Sequence, residues 1–321
     1  MSVTFDNILL IGSFLVIASV FASKSNRFGV PSLLLFLIVG VLAGSEGIGH
    51  IHFKDFGVAK FIGNIAMVLI LFSGGLDTHV SSFRKVLWQG VLLSTIGVLL
   101  TAGLVGIFVW AITPMPMTCC LLLGCIVSST DASTVFSVLR SKGTELKGHI
   151  RSLLELESGS NDPMAFFLTI FMIDVANGVI SFEDAWFDGF TMFISQFAIG
   201  ILIGLLMGYM MLKVTNRIHL DVQGLYSVLE LAFAIFTYAI ATFFDGNGFL
   251  AVYIAAIFLG NNNFVHKKSI IKHFDGQAWL MQIIMFITLG LLLSPCQMWC
   301  SLGVGLLIFL FLLLVARPIS V

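Results

Sequence analysis

The sequence predicts an all-α polytopic membrane protein, and three observations point to this fold class. The 321-residue chain is 58% hydrophobic with a mean hydropathy of +1.06, and only 10% of its residues are charged, which is far too apolar for a soluble domain of this length. Its apolar residues form runs long enough to cross a bilayer as helices. Polar and ionisable side chains nevertheless lie inside one of these runs, over residues 151–173.

Eleven apolar runs are candidate membrane spans. Their approximate ranges are 7–23, 28–46, 59–77, 86–112, 116–139, 150–175, 189–213, 224–244, 248–262, 274–293 and 297–319. Basic residues collect on the inner side of a membrane. Most of the sixteen Lys and Arg lie on that side if the N-terminus is outside, whereas Lys54 and Lys60 then lie on the outer side. We therefore predict an outside N-terminus and an inside Val321.

The composition also bears on partners. The net charge of −1 and the lack of a clustered basic face argue against nucleic-acid binding, so the lipid bilayer is the expected surrounding. The 31 glycines lie largely within the spans, where small residues allow helices to pack closely. Cys296 and Cys300 fall in a predicted outside loop, where an oxidising compartment could join them.

The fifth span has a polar cluster in its middle, formed by Ser128, Ser129, Thr130, Asp131 and Ser133. Side chains of these types compete with the backbone for hydrogen bonds, so the cluster predicts a broken helix at 128–133. Irregular backbone at membrane depth is tolerated where it is buried in protein or lines a cavity. The alternative is a short kink that Asp131 caps.

The sixth span carries polar residues on two adjoining faces. At 100° per residue, Glu155, Ser158 and Asp162 fall on one stripe, and Glu157 and Asn161 fall on the next. A charged group at membrane depth costs from ~2.5 kcal/mol upward, so acidic residues there usually line an ion or proton path. The pattern therefore favours cation transport.

Pro163 adds to the polarity at this depth. Proline has no N–H, so the carbonyl of Gly159 loses its helical donor at the level of the Asp162 carboxylate. Asp131, on the broken span, is the natural second carboxylate. Together these oxygens suit a hard monovalent cation, although each acid alone could be a structural hydrogen-bonding group.

Two further charges are ambiguous from the residues alone. Glu230 lies near the inner end of its span and either snorkels to the membrane surface or acts within it. Arg317 is either an anchor on the cytoplasmic side or a buried counter-charge for Glu157. A channel would need a continuous polar pore in several spans, and an intramembrane protease would need a catalytic constellation. The sequence offers neither, so we do not expect an enzyme.

Three motifs carry a resemblance to a known family. They are Ser-Ser-Thr130-Asp131-Ala-Ser, Glu157-Ser-Gly-Ser-Asn161-Asp162-Pro and Val-Ala-Arg317-Pro. With them the chain resembles the cation:proton antiporter 1 family of the NhaP/NHE type, and more closely bacterial potassium/proton antiporters of the cell volume regulation protein A kind. The likeness covers essentially the whole chain.

The resemblance implies an inverted-repeat antiporter fold of 13 spans, which works as a homodimer in the bacterial inner membrane by elevator-like alternating access. It implies no cofactor, and the transported species are H⁺ and either K⁺ or, as the alternative, Na⁺. The implied cation- and proton-binding residues are Asp162, Asp131, Thr130, Ser158, Glu157 and Asn161.

Individual roles follow from the same resemblance. Asp162 is the shared carrier of proton and cation and, with Asp131, ligates the monovalent cation. Arg317 pairs with Glu157 as a structural ion pair. An Asn161-Asp162 sequence, rather than two acids, goes with electroneutral one-for-one exchange.

The resemblance also divides the chain into regions. Dimerisation and scaffold helices are expected at 1–84 and 224–293, core transport helices at 85–176, a linker span at 177–223, and core span 11 at 294–321. Spans 12 and 13 and a cytosolic tail are absent from this sequence, so the second repeat is expected to be incomplete.

Overall fold

The computed structural model describes residues 12–20, 32–80, 86–130, 150–181 and 185–321, and this part of the chain is helical with no strand. Its helices are α1 (12–20), α2 (Ser32–Ala43), α3 (Phe56–Asp77), α4 (Leu87–Ile112), α5 (Met117–Val127), α6 (Ile150–Ala176), α7 (Ala185–Arg217), α8 (Gln223–Phe243), α9 (Gly248–Asn261), α10 (Lys267–Leu292) and α11. Helix α11 begins as Pro295–Phe311, passes through a π-helical turn at Leu312–Ala316 and ends with Arg317–Ser320. Each of these helices overlaps one of the predicted spans within the described residues.

Six of these helices are long and apolar enough to cross a membrane, namely α3, α4, α7, α8, α10 and α11. Three shorter apolar helices are α2, α5 and α9. Helix α6 has 27 residues and is long enough to cross a membrane, but its apolar run is interrupted by the polar side chains noted above. The structure thus confirms a multi-pass, all-α membrane protein.

The chain divides into two compact units, and residues 12–20, 32–70 and 275–302 are the described part of the first. Its core contains Phe36, Ile283 and Ile287. A methyl group on Gly40 would lie 2.4 Å from the Ile287 carbonyl oxygen, so glycine is what allows α2 and α10 to approach at this point.

The N-terminus of α11 belongs to this first unit and corrects one prediction. Cys296 and Cys300 do not lie in a loop, because the helix already begins at Pro295. Proline suits a first helical position, where no N–H partner is needed. A carboxylate oxygen of Glu46 accepts the Cys296 N–H at 2.9 Å, which caps the helix. Cys296 itself is an exposed free thiol.

The second unit contains the described residues 71–80, 86–130, 150–181, 185–274 and 303–321. Helices α4, α5 and α6 share a core that includes Val98, Ala102, Cys125, Met164 and Phe167. This core fixes the end of α5 against the middle of α6, where the polar residues lie.

Helices α7 and α9 pack closely within the second unit because three glycines recur every four residues on α7. They are Gly200, Gly204 and Gly208. A methyl group on Gly204 would lie 2.6 Å from the Ala251 carbonyl oxygen, and the other two glycines face backbone atoms of Asn247 and Ala255. The row therefore brings α9 down onto α7 as a small-residue packing motif.

Candidate cation site

Helix α6 supplies the central residues of the candidate site. It continues without interruption through Pro163. Asn161 is fully buried, Glu157 is 7% exposed, and Asp162 and Ser158 are half-buried. Since these residues lie within two helical turns, the predicted pair of polar faces is present on one element.

Helix α5 ends where the polar cluster of the fifth span begins. Its last residue is Val127, and the Ser128 hydroxyl then donates to the Cys125 carbonyl at 2.7 Å, which closes the final turn. Ser129 and Thr130 follow in non-helical backbone. The helix therefore ends at the residue before the predicted break at 128–133. Asp131 and the rest of 131–149 lie outside the described residues.

Ser129 connects this chain segment to the carboxylate. Its hydroxyl lies 2.5 Å from Asp162 Oδ1 and 3.3 Å from Asn161 Oδ1, so it donates chiefly to the carboxylate. The serine thereby holds one carboxylate oxygen of Asp162 beside the end of α5.

Asn161 holds the same segment from the other side. Its Nδ2 donates to Thr130 Oγ1 at 2.9 Å and to the Thr130 backbone carbonyl at 3.1 Å. Both amide hydrogens are thus used on one residue, which orients the threonine oxygens. The amide does this without adding a charge next to Asp162.

Arg317 forms the base of the cluster. Its Nη1 lies 3.2 Å from Glu157 Oε1, and its Nη2 donates to the Ser128 carbonyl at 3.1 Å. The side chain of Arg317 is only 18% exposed, and that of Glu157 only 9%. The guanidinium therefore neutralises a buried acid and at the same time takes up a carbonyl that the end of α5 leaves without a helical donor.

The structure thus brings Asp162, Asn161 and Thr130 together just after the end of α5, and the Glu157–Arg317 pair contacts the same segment at the Ser128 carbonyl. Ser158 lies on the same helix next to it, half-buried, and takes part in an interaction of its own. Asp131, the predicted second carboxylate, is not among the described residues. Chemically, the arrangement offers hydroxyl, carbonyl and carboxylate oxygens around one ionisable group, which is what a hard monovalent cation or a proton needs.

Sequence reasoning missed Ser129 and Asn247. The signal for Ser129 was its place in the polar cluster, yet its pairing with Asp162 depends on how the chain turns after Val127. Asn247 caps α9 by accepting the Leu250 N–H, and its Nδ2 donates to the Pro163 carbonyl at 3.0 Å. Asn247 therefore ties the start of α9 to the helix that carries the acid.

The snorkelling interpretation of Glu230 is wrong. Its side chain is fully buried, and the Thr215 hydroxyl of α7 donates to its Oε1. The carboxyl group cannot reach the membrane surface because α7 covers it. Glu230 lies apart from the network around Asp162 along the chain and shares no hydrogen bond with it among the described residues.

Comparison with known proteins places this fold in a class. The chain superposes on the sodium proton antiporter MjNhaP1 from Methanocaldococcus jannaschii, solved at pH 8, with a TM-score of 0.83 over 98% of this chain and 78% of that one. The sequences are 24% identical, so this likeness shows the fold. The fold is therefore that of a polytopic antiporter.

Sequence similarity is higher to bacterial proteins. The chain is 41% identical over 317 residues to the K(+)/H(+) antiporter NhaP2 of Shewanella sp. (strain MR-4), and 40% identical over 314 residues to the K(+)/H(+) antiporter NhaP of Alkalimonas amylolytica. Each alignment covers 98% of this chain and 54% of the relative, so the chain spans about half the length of these proteins.

The family described as sodium/hydrogen exchanger, transmembrane, matches residues 12–321. The chain belongs to this family, and the resemblance seen in its motifs is confirmed. The relatives at 40–41% identity are named antiporters and not proteases.

Proposed function

We propose that the protein exchanges a monovalent cation for a proton across the bacterial inner membrane, with Asp162 as the shared carrier. The observation that carries the proposal is the environment of this carboxylate. Asp162 lies in the middle of a 27-residue helix, half-buried, with the Ser129 hydroxyl 2.5 Å from Oδ1. An ionisable group held in this way at membrane depth is a transport site by default.

The mechanism is competition for one negative charge. A cation can bind the ionised carboxylate with help from the hydroxyl oxygens of Ser129 and Thr130, and a proton can bind the same carboxylate in its place. Asn161 fixes Thr130 in position whichever is bound. If only the neutralised carrier moves between the two sides, uptake of one species requires release of the other.

Potassium is the preferred cation of this proposal, because the relatives at 40–41% identity are named K(+)/H(+) antiporters. Sodium is the alternative, since a protein of Methanocaldococcus jannaschii that is 26% identical is named a probable Na(+)/H(+) antiporter. Exchange is electroneutral in this proposal because Asn161 adds no second charge to the site. Asp131 and Ser158 complete the ligand set.

The proposal includes a homodimer that works by elevator-like movement, with the core and scaffold ranges given above and an outside N-terminus. Cys296 offers a test of orientation because its thiol is exposed. A membrane-impermeant maleimide should label it from outside in intact cells, and Cys296→Ser should remove that signal. Labelling of Cys296 only after the inner face is exposed would reverse the topology.

The decisive test is exchange in proteoliposomes loaded with a pH-sensitive dye. The full-length protein should dissipate an imposed proton gradient when K⁺ or Na⁺ is added, and Asp162→Asn should not, because the amide cannot titrate. Asp174→Asn, on the same helix three turns further along, is the matched control and should exchange normally. Normal exchange by Asp162→Asn with intact folding would contradict the assignment.

A further inference from the structure

Tyr253 of α9 lies against the face of α6 that carries the candidate carrier. The residue is 3% exposed, and its ring packs on Gly159. A methyl group at Gly159 would lie 2.3 Å from the Tyr253 hydroxyl oxygen and 2.5 Å from Cζ. Glycine is therefore required at this point, since any side chain would push the hydroxyl away from the helix.

The position of Gly159 decides what the hydroxyl faces. On a helix, residues three and four apart share a face, so Glu155 and Asp162 lie one turn on either side of Gly159. The two carboxylates are separated by ~10 Å along the axis at 1.5 Å per residue. Both act electrostatically on the Tyr253 hydroxyl. The hydroxyl thus sits between them on one polar stripe.

The hydroxyl has no hydrogen bond of normal geometry to any described residue. The side chain of Thr78 lies beside it, but the Thr78 proton goes to the Gly74 carbonyl at 2.8 Å. A buried tyrosine hydroxyl usually finds a partner, because leaving it unpaired is unfavourable. A group that is buried, polar and directed at an acidic stripe is suited to a partner that comes and goes.

We propose that the Tyr253 hydroxyl oxygen is a transient ligand for the cation as it passes between Glu155 and Asp162. The inference rests on the proposed function and extends its path by one turn of α6 beyond the carrier. The oxygen replaces one water of the hydrated cation, as protein oxygens do in ion-selective sites.

The route also explains the pairing of Glu155. Its carboxylate lies 2.9 Å from Arg151 Nε, and this ion pair is largely exposed, with side-chain exposures of 63% for Arg151 and 35% for Glu155. Such a pair is weak and easily opened. Glu155 is therefore able to attract a cation at the exposed end of the stripe, and Tyr253 passes it on toward Asp162.

The test compares cation dependence of exchange in proteoliposomes for the full-length protein and Tyr253→Phe, with KCl and NaCl as the added salts. Loss of one ligand should raise the cation concentration for half-maximal exchange about three- to tenfold, the range for one net hydrogen bond. The maximal rate and the melting temperature should change little, because the ring is kept. The matched control is Tyr238→Phe. Tyr238 lies on α8, with its ring centroid 5.0 Å from that of Phe249 on α9, and its substitution should leave exchange as in the unmodified protein.

Gly159→Ala gives a second measurement, because its methyl group displaces the hydroxyl without removing it. This substitution should also raise the cation concentration for half-maximal exchange. Unchanged half-maximal concentrations in Tyr253→Phe, with or without a lower melting temperature, would overturn the inference and leave only a packing role beside Thr78. Such a result in a protein that exchanges normally leaves the proposed function standing. Absence of exchange in the unmodified protein would reject both.

Discussion

Removal of either partner from the Arg317–Glu157 pair should destabilise the protein strongly. The pair joins α11 to α6 at 3.2 Å with side chains that are 18% and 9% exposed. Deleting one partner of a buried pair leaves an uncompensated charge, which costs ~3–5 kcal/mol. Glu157→Gln keeps the side-chain length, so its loss reports the charge, whereas Arg317→Gln removes the charge and also shortens the side chain.

The two substitutions should not be equal. Arg317 also donates to the Ser128 carbonyl at 3.1 Å, and that oxygen loses its donor only when the arginine is replaced. An unsatisfied buried acceptor costs ~1–3 kcal/mol. Arg317→Gln is therefore expected to destabilise more than Glu157→Gln, by about that amount. The double variant removes both charges together and should recover ~1–3 kcal/mol relative to the sum of the single losses.

The measurement is the free energy of unfolding of detergent-solubilised variants in a double-mutant cycle. The matched control is the Arg151–Glu155 pair, which is shorter at 2.9 Å but has side-chain exposures of 63% and 35%. Its coupling should stay within ~1 kcal/mol, because exposed pairs are screened by water and salt. If the losses for Glu157→Gln and Arg317→Gln simply add, with a coupling energy no larger than that of the control pair, Arg317 is only an anchor at the membrane surface.

Three further outcomes are expected. Turnover should generate no net current on a solid-supported membrane, because Asn161 is uncharged, whereas Asn161→Asp should introduce one; a current that scales with transport in the unmodified protein would reject electroneutral exchange. Ser129→Ala should raise the cation concentration for half-maximal exchange about tenfold or more, as expected for loss of a hydrogen bond to a charged group such as Asp162. An unchanged concentration would show that the hydroxyl is not a ligand. Gly204→Ala should lower the melting temperature, because its methyl meets backbone, while Gly303→Ala, with nothing within 4 Å, should not; equal effects would contradict the packing role of the α7 glycines.

The sequence predicted the helices well because membrane spans depend on local composition. A run of apolar residues must satisfy its backbone internally, so hydropathy alone locates the helix, whatever packs against it. The end of α5 was predictable for a related reason, since the Ser128 hydroxyl bonds to the Cys125 carbonyl and such a bond competes with a helix.

Contacts between helices were harder to predict because they depend on how each helix is rotated and which neighbour it meets. The resemblance implies Thr130 as a ligand. The structure adds two contacts that it does not give, namely the Ser129 hydroxyl on Asp162 and the Asn161 amide on Thr130. Glu230 was judged by its depth alone, and its partner Thr215 lies on another helix. Neither pairing has a signal in the local pattern.

The α7 glycines show an intermediate case. Their spacing of four is visible in the sequence, and it correctly indicates a face for close packing. It does not say that α9 is the helix that occupies this face, nor that Asn247 at the start of α9 then reaches the Pro163 carbonyl. Residue spacing along the chain shows which face of α7 allows close packing, and only the tertiary fold shows that α9 is the helix packed there.

The π-helical turn at Leu312–Ala316 places a constraint of length on α11. Over Ser301–Ser320 only 6% of the best apolar window is buried within this chain, so packing inside the chain leaves the identity of most of these side chains open. Arg317 follows the turn directly, and each residue added or removed there rotates everything beyond it by about 100°. Deleting one leucine would therefore preserve hydropathy but turn the guanidinium away from Glu157. Related chains should accordingly tolerate exchange of one apolar residue for another across this stretch, but not insertions or deletions.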